Sequence, residues 1–192
     1  PQPRKDILKQ LDREAAKLAG CEKELLFCFM SDPYQSDEAA ALTRKALLIC
    51  EKHGFKRVNV LTKGGMRAAQ DFDILARNPG WKFGSTIIFD REDLREHWEP
   101  GATPISERIQ AVQEAHRRGI YTWVSVEPVV DAEAAIRLIR CLKPYVSFWK
   151  VGKLNHDKET ESKIDWKMFL ADVTNELAGC QYYIKKDLLK FK

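Results

Sequence analysis

No stretch of this 192-residue chain approaches the roughly 18 consecutive apolar residues of a membrane span, and no secretory leader pattern opens it. A membrane partner is therefore not expected. A strong excess of either charge is missing too. With 32 basic against 28 acidic residues the net charge is +4, which permits nucleic-acid contact without arguing for it. Cysteine is sparse and scattered, at positions 21, 28, 50, 141 and 180. Neither a disulfide framework nor a zinc or iron–sulfur ligand set can be read from such spacing. An odd number of thiols, acting mostly as small buried hydrophobes, suits a reducing cytoplasm. The four histidines (His53, His97, His116 and His156) form no pair at metal-binding spacing. Low-complexity linkers are absent, so one domain over 1–192 is expected. The chain opens on Pro1-Gln2-Pro3 instead of methionine, and residues are expected upstream of it.

What the chain does have is a repeated change of pattern. Apolar runs at 25–30, 57–61, 82–89, 121–126 and 146–151 each end in polar residues and give way to amphipathic stretches of helix length. A sixth run, 181–184, ends in Lys185-Lys186-Asp187. Helical spacing covers 4–18, a stretch from a Ser36 cap to Gly54, 66–76 after Gly64-Gly65, 91–98, and 132–142. Further helices run from a Ser106-Glu107 cap to Gly119 and from Asp165 to Gly179, while 155–163 reads as a polar loop. Strand–helix alternation predicts parallel βαβ units, whose C-terminal strand ends form the ligand face. The polar residues at those ends are expected to share a pocket. A closed eight-stranded barrel needs about 250 residues, so six strands predict an open sheet or an incomplete barrel.

Three segments in series carry a resemblance. They are Ser31-Asp32-Pro33-Tyr34-Gln35 after one strand, Val60-Leu61-Thr62-Lys63 ending the next, and Phe89-Asp90 followed by Glu99-Pro100-Gly101-Ala102-Thr103-Pro104 and Arg108. With the Gly119-Ile120 turn and Glu127-Pro128, this order resembles the radical S-adenosylmethionine (SAM) proteins related to spore photoproduct lyase, also called DNA repair photolyase-like. The resemblance implies an α/β fold, a partial (β/α)6 TIM-like barrel of parallel strands. It also implies SAM as cofactor, cleaved reductively to a 5′-deoxyadenosyl radical that abstracts hydrogen from an unidentified substrate. The family's [4Fe–4S] cluster sits on a Cys-x-x-x-Cys-x-x-Cys loop, and no such motif occurs here. The first barrel strand and the cluster loop are thus expected upstream of Pro1, and the chain by itself is expected to be inactive. Nucleic acid is implied as a partner by family analogy only. Phe29 occupies the position of the lyase's hydrogen-donor cysteine, which argues against thymine-dimer repair.

On this resemblance Ser31 and Asp32 meet the amino group of SAM, Lys63 meets its carboxylate, and Ser85 or Thr86 faces the ribose. Strand alternation sends those last two to opposite faces, so only one can serve. Asp32 before Pro33 is equally good turn chemistry, and Lys63 is equally a surface lysine. Glu127 stands at a strand end, to bind ribose or substrate or to pair with a nearby lysine. Lys150 shares a strand face with Phe148, opposite Trp149 and Val151. Inside a barrel it must be paired or have a lowered pKa; outside it merely snorkels.

Two other readings fit the same residues. One is a Schiff-base barrel enzyme using Lys150 or Lys63 as nucleophile and Asp32 or Glu127 as proton shuttle. The other is a non-catalytic fragment or binding module, which would dimerise through the unpaired edge of the 25–30 strand.

Overall fold

The computed structural model describes residues 4–27 and 31–192. Among these, six strands form one sheet in sequence order: β1 (Leu25–Phe27), β2 (Val58–Thr62), β3 (Lys82–Thr86), β4 (Tyr121–Val129), β5 (Phe148–Lys153) and β6 (Gln181–Ile184). Every neighbouring pair is parallel. This is what successive crossovers of one hand produce. The intervening helices are α2 (Asp37–Lys52), α3 (Phe72–Arg77), α4 (Glu92–Trp98), α5 (Ile105–Arg117), α6 (Ala132–Leu142), α7 (Lys158–Ser162) and α8 (Trp166–Glu176). The helices α1 (Ile7–Lys17) and α9 (Lys186–Leu189) stand at either end. The fold is the expected α/β partial barrel, with β1 and β6 as its open edges.

Alternation along the strands separates two faces. Val60, Phe83, Val124 and Trp149 lie on the outer face, fully buried under helices. Phe83 meets Phe72 of α3 edge-on, with ring centroids 4.9 Å apart. Each such side chain contributes roughly 1.5–3 kcal/mol through burial. The inner face is polar at the N-terminal strand ends. Trp123 Nε1 donates to Asn59 Oδ1 (2.6 Å), Asn59 Nδ2 to Glu24 (2.9 Å), and Lys82 Nζ to Glu24 (2.7 Å). Tyr121 Oη donates to Gln181 at 3.0 Å. To reach Asn59 on β2 from β4, the Trp123 indole passes over β3 at Gly84, where a Cβ would overlap the ring. Only glycine permits that approach.

Several elements differ from the sequence reading. β3 ends at Thr86, three residues before the end of its apolar run; Ile87 still donates its N–H to Ser125 O (3.1 Å), and Ile87, Ile88 and Phe89 are buried in the core. β4 runs through Glu127-Pro128 to Val129, with a register shift against β5 after Val126. Ser106 does not cap α5. The N-cap is Pro104, and the Ile105 N–H is taken by Glu92 Oε1 of α4 at 2.6 Å. The segment expected as a polar loop contains α7, whose N-cap Asp157 accepts from Thr160 N. Residues 66–76 begin as a 3-10 turn, Gly65–Asp71, and become α-helical only at Phe72. Among the four described cysteines only Cys50 is buried, and burial pushes its thiol up to about 11; Cys141 is exposed. The last three positions of the 25–30 run, with Cys28 and Phe29, lie outside the described residues.

Gly84→Ala is expected to cost about 1–3 kcal/mol by forcing the Trp123 ring aside. Urea unfolding of the variant reads the loss. Wild-type stability would mean that the indole does not lie against β3.

Candidate functional site

Three loops meet at the C-terminal ends of β1, β2 and β3, and Asp32 binds the first two together. Its Oδ1 accepts hydrogen bonds from Tyr34 N (2.8 Å) and Thr62 Oγ1 (2.5 Å), and its Oδ2 accepts one from Lys63 N (2.5 Å). The first is an Asx-turn bond, local to the loop; the others reach across to β2. The turn delivers Tyr34 into the core, where its hydroxyl donates to buried Asp71 at 2.8 Å. Burial first, and then Asp71, push the Tyr34 phenol well above its usual range, so it remains a donor. Ser31 is exposed at the start of this loop.

The third loop is tied to Lys63. Thr103 donates to the Lys63 carbonyl from both its N–H (3.2 Å) and its hydroxyl (2.7 Å). Lys63 Nζ lies 2.7 Å from Glu99 Oε1, as an ion pair off the hydrogen-bond direction, which leaves that oxygen without a donor among the described residues. Glu99 Oε2 accepts from Arg108 Nη1 at 2.5 Å. Arg108, only 1% exposed, also donates from Nε to Thr103 O and from Nη1 to Thr86 O. Lys63 and Asp32 therefore work inside a clamp of loops, with their charges largely answered by protein groups.

A second group gathers on the inner face. Strand register sets Thr86, Ser125, Lys150 and Tyr183 side by side across β3 to β6. Ser85 points the other way, to the helix side, and its hydroxyl donates to Thr62 O at 3.3 Å. Thr86 is thus the member of the pair that shares a face with Lys150. Just above, where the β4–β5 register shifts, Glu127 stands close to Gly152 and Lys185. A Cβ at Gly152 would touch both side chains at 3.0 Å. Glu127 Oε1 is paired with Lys185 Nζ, while Oε2 lies 3.8 Å from Lys150 Nζ. One carboxylate between two ammonium groups leaves positive charge to spare. Thr86 and Ser125 are more than nine-tenths buried, and neither hydroxyl has a partner among the described residues. The arrangement can hold a ligand that brings an anionic group for the lysines and hydroxyls for Thr86 and Ser125.

Sequence reasoning passed over Lys185, Ser125 and the Glu99–Arg108 pair as site residues. Lys185 carried a usable signal, because it follows β6 as Lys63 follows β2. Ser125 shares a strand phase with Glu127. The partnership of Glu99 with Arg108 had no local signature.

For an iron–sulfur cluster the described residues do not fit. Cys21, Cys50, Cys141 and Cys180 are dispersed, and no three His, Cys, Asp or Glu groups among the described residues could hold a metal. A depression of about 1220 Å³ lies between helices and shares no lining residue with the inner face. Size alone would favour it as a ligand pocket. The convergence of polar side chains at strand ends favours the inner face, and in parallel α/β sheets that is the stronger criterion.

Fold and site together define a six-stranded open (β/α) barrel with a polar cluster at its C-terminal strand ends. The sequence matches no protein-family model and no curated protein. In three dimensions the fold is shared with SuiB of Streptococcus suis. The TM-score is 0.69 at 12% identity against SuiB bound to S-adenosylmethionine, over 96% of this chain and 45% of that one. Against SuiB bound to the precursor peptide SuiA it is 0.68 at 15% identity, over 96% and 43%. The chain spans less than half the length of these structures, and the likeness at such identities is one of fold. No helix among the described residues is long and apolar enough to cross a membrane.

The two groups of residues should respond differently to substitution. Arg108→Met is expected to cost about 3–5 kcal/mol, because Glu99 is left buried with its Oε2 unmet and only the ion pair to Lys63. Glu127→Gln at the partly exposed rim should change stability by less than about 1 kcal/mol. Comparable losses in urea titrations would place Glu127 in the scaffold.

Proposed function

We propose that this chain is the barrel core of a radical SAM enzyme and that SAM binds at the strand ends of the inner face. The likeness of fold to a protein solved with SAM bound, over nearly the whole chain, carries this reading. The inner-face residues suit the ligand. Lys150 and Lys185, whose two charges Glu127 answers only once, take the methionyl carboxylate; Thr86 and Ser125 take ribose hydroxyls. Asp32 and Lys63 act one step further out, by holding the loops that wall the site. Bound there, SAM would supply a 5′-deoxyadenosyl radical, with methionine leaving, on taking one electron from a [4Fe–4S] cluster that the described residues do not hold. The described residues supply the binding and orienting half of that chemistry.

The narrower likeness to spore photoproduct lyase rests on the loop motifs around Asp32 and between Glu99 and Arg108. For the substrate, a peptide is better supported than nucleic acid. SuiB is solved with a precursor peptide, and a net charge of +4 offers nucleic acid little. A Schiff-base reading keeps one specific observation, an amine (Lys150) 3.8 Å from a carboxylate (Glu127). Borohydride trapping with a small aldehyde would mark Lys150 if it held.

Calorimetric titration with SAM tests the main proposal. Binding is expected for the wild-type protein and should weaken about tenfold in Lys150→Ala, the loss of one charge-assisted contact. Absence of binding at millimolar SAM would sink the proposal and leave the barrel as a binding module for something else.

A further inference from the structure

The depression of about 1220 Å³ lies between α4, α6, α7 and α8, separate from the inner face. Leu94, Trp98, Ile136 and Phe169 give it an apolar floor, and Met168 stands 62% exposed on its wall. An exposed methionine beside apolar floor residues is a surface that adapts to an apolar partner side chain. The rim is of opposite character to the rest of the protein. Six carboxylates line it against three Lys or Arg side chains, with His97 beside them, in a chain whose net charge is +4.

Those three bases are already engaged. Arg137 pairs with Asp90 (2.5 Å) and Glu133 (3.4 Å), Arg140 with Glu176 (2.7 Å), and Lys163 with Glu159 (2.8 Å). The remaining acids are Asp131, Asp157, Asp165 and Asp172. The first three are fixed in place as N-caps of α6, α7 and α8, accepting from backbone N–H groups at 2.9, 3.2 and 3.0 Å. Asp131 and Asp165 use one carboxylate oxygen for this, and Asp172 has no ion pair among the described residues. Held in place by helix ends, these carboxylates form a rim of negative charge around an apolar floor.

We propose that this groove docks a basic amphipathic peptide segment of a partner protein, with apolar side chains on the floor and lysines or arginines on the Asp rim. Charge complementarity selects the occupant: an acidic segment or a nucleic-acid backbone would be repelled, whereas a cationic one is steered in and held in register.

Fluorescence polarisation tests this with a labelled peptide of about twelve leucines and lysines in helical spacing, and a leucine–glutamate peptide as reference. The lysine peptide is expected to bind, more tightly at low salt. Asp172→Lys should weaken it about tenfold and Met168→Ala about threefold. Both positions are exposed, so neither change threatens the fold, and thermal melts verify this. Glu14→Lys on α1 makes the same charge change away from the groove and should leave binding as it was. The proposal is overturned if the glutamate peptide binds equally well, if the lysine peptide fails to bind at 100-fold excess, or if Asp172→Lys and Met168→Ala do nothing. An equal loss in Glu14→Lys overturns it too, since attraction would then belong to the whole surface.

Discussion

The indole of Trp123 lying over Gly84 to reach Asn59 fixes which face of the sheet is inside and how that inside is filled. Strand phase is all-or-nothing: one residue of slip would exchange every inner side chain for an outer one. A tryptophan on β4 bonded to an asparagine on β2 permits a single phase for three strands at once. Glu24, Lys82, Tyr121 and Gln181 extend the belt toward both sheet edges and satisfy one another. The N-terminal half of the inner face is thereby closed and electrically quiet. Among the described residues of the inner face, the unpartnered hydroxyls of Thr86 and Ser125 and the surplus positive charge gather at the opposite end, where the candidate site lies.

Much of this was legible in the chain because period and alternation are local. The six strands, the face shared by Phe148 and Lys150, and the caps at Ser36 and Asp165 follow from spacing within a few residues. Errors arose where a distant group decided. Glu92, 13 residues away, supplies the cap of α5 that Ser106 was expected to give. Asp157 converts a polar stretch into a helical turn, a signal that was present but masked by composition. The choice between Ser85 and Thr86 needed the register against β4, which no property of β3 alone contains.

Asp32 illustrates the same limit for chemistry. A carboxylate after a strand end has the look of a ligand group, and its position at the loop cluster was readable. Its occupation was not, since Thr62 and Lys63 stand 30 and 31 residues along the chain. A buried or half-buried acid finds donors before a ligand does, because an unmet carboxylate is costly. The same reasoning binds Glu99 to Arg108 and Lys63. Glu127 differs because its partners are two lysines for one charge, an imbalance that a ligand can complete.

The loop clamp has a mechanical consequence. Asp32, Lys63, Thr103 and Arg108 knit the β1, β2 and β3 loops into a single block, cross-tied by both side-chain and main-chain bonds. Among the described residues the loops after β5 and β6 are not cross-tied in this way: Lys153 binds Glu161 within its own loop, and Lys150 and Lys185 are joined through Glu127. Cross-loop bonds are therefore unevenly distributed around the mouth of the barrel: one wall is braced from loop to loop and the other is held by its ladder and by Glu127. A ligand seated there would take its position from the braced loops, because shifting them means breaking several bonds at once.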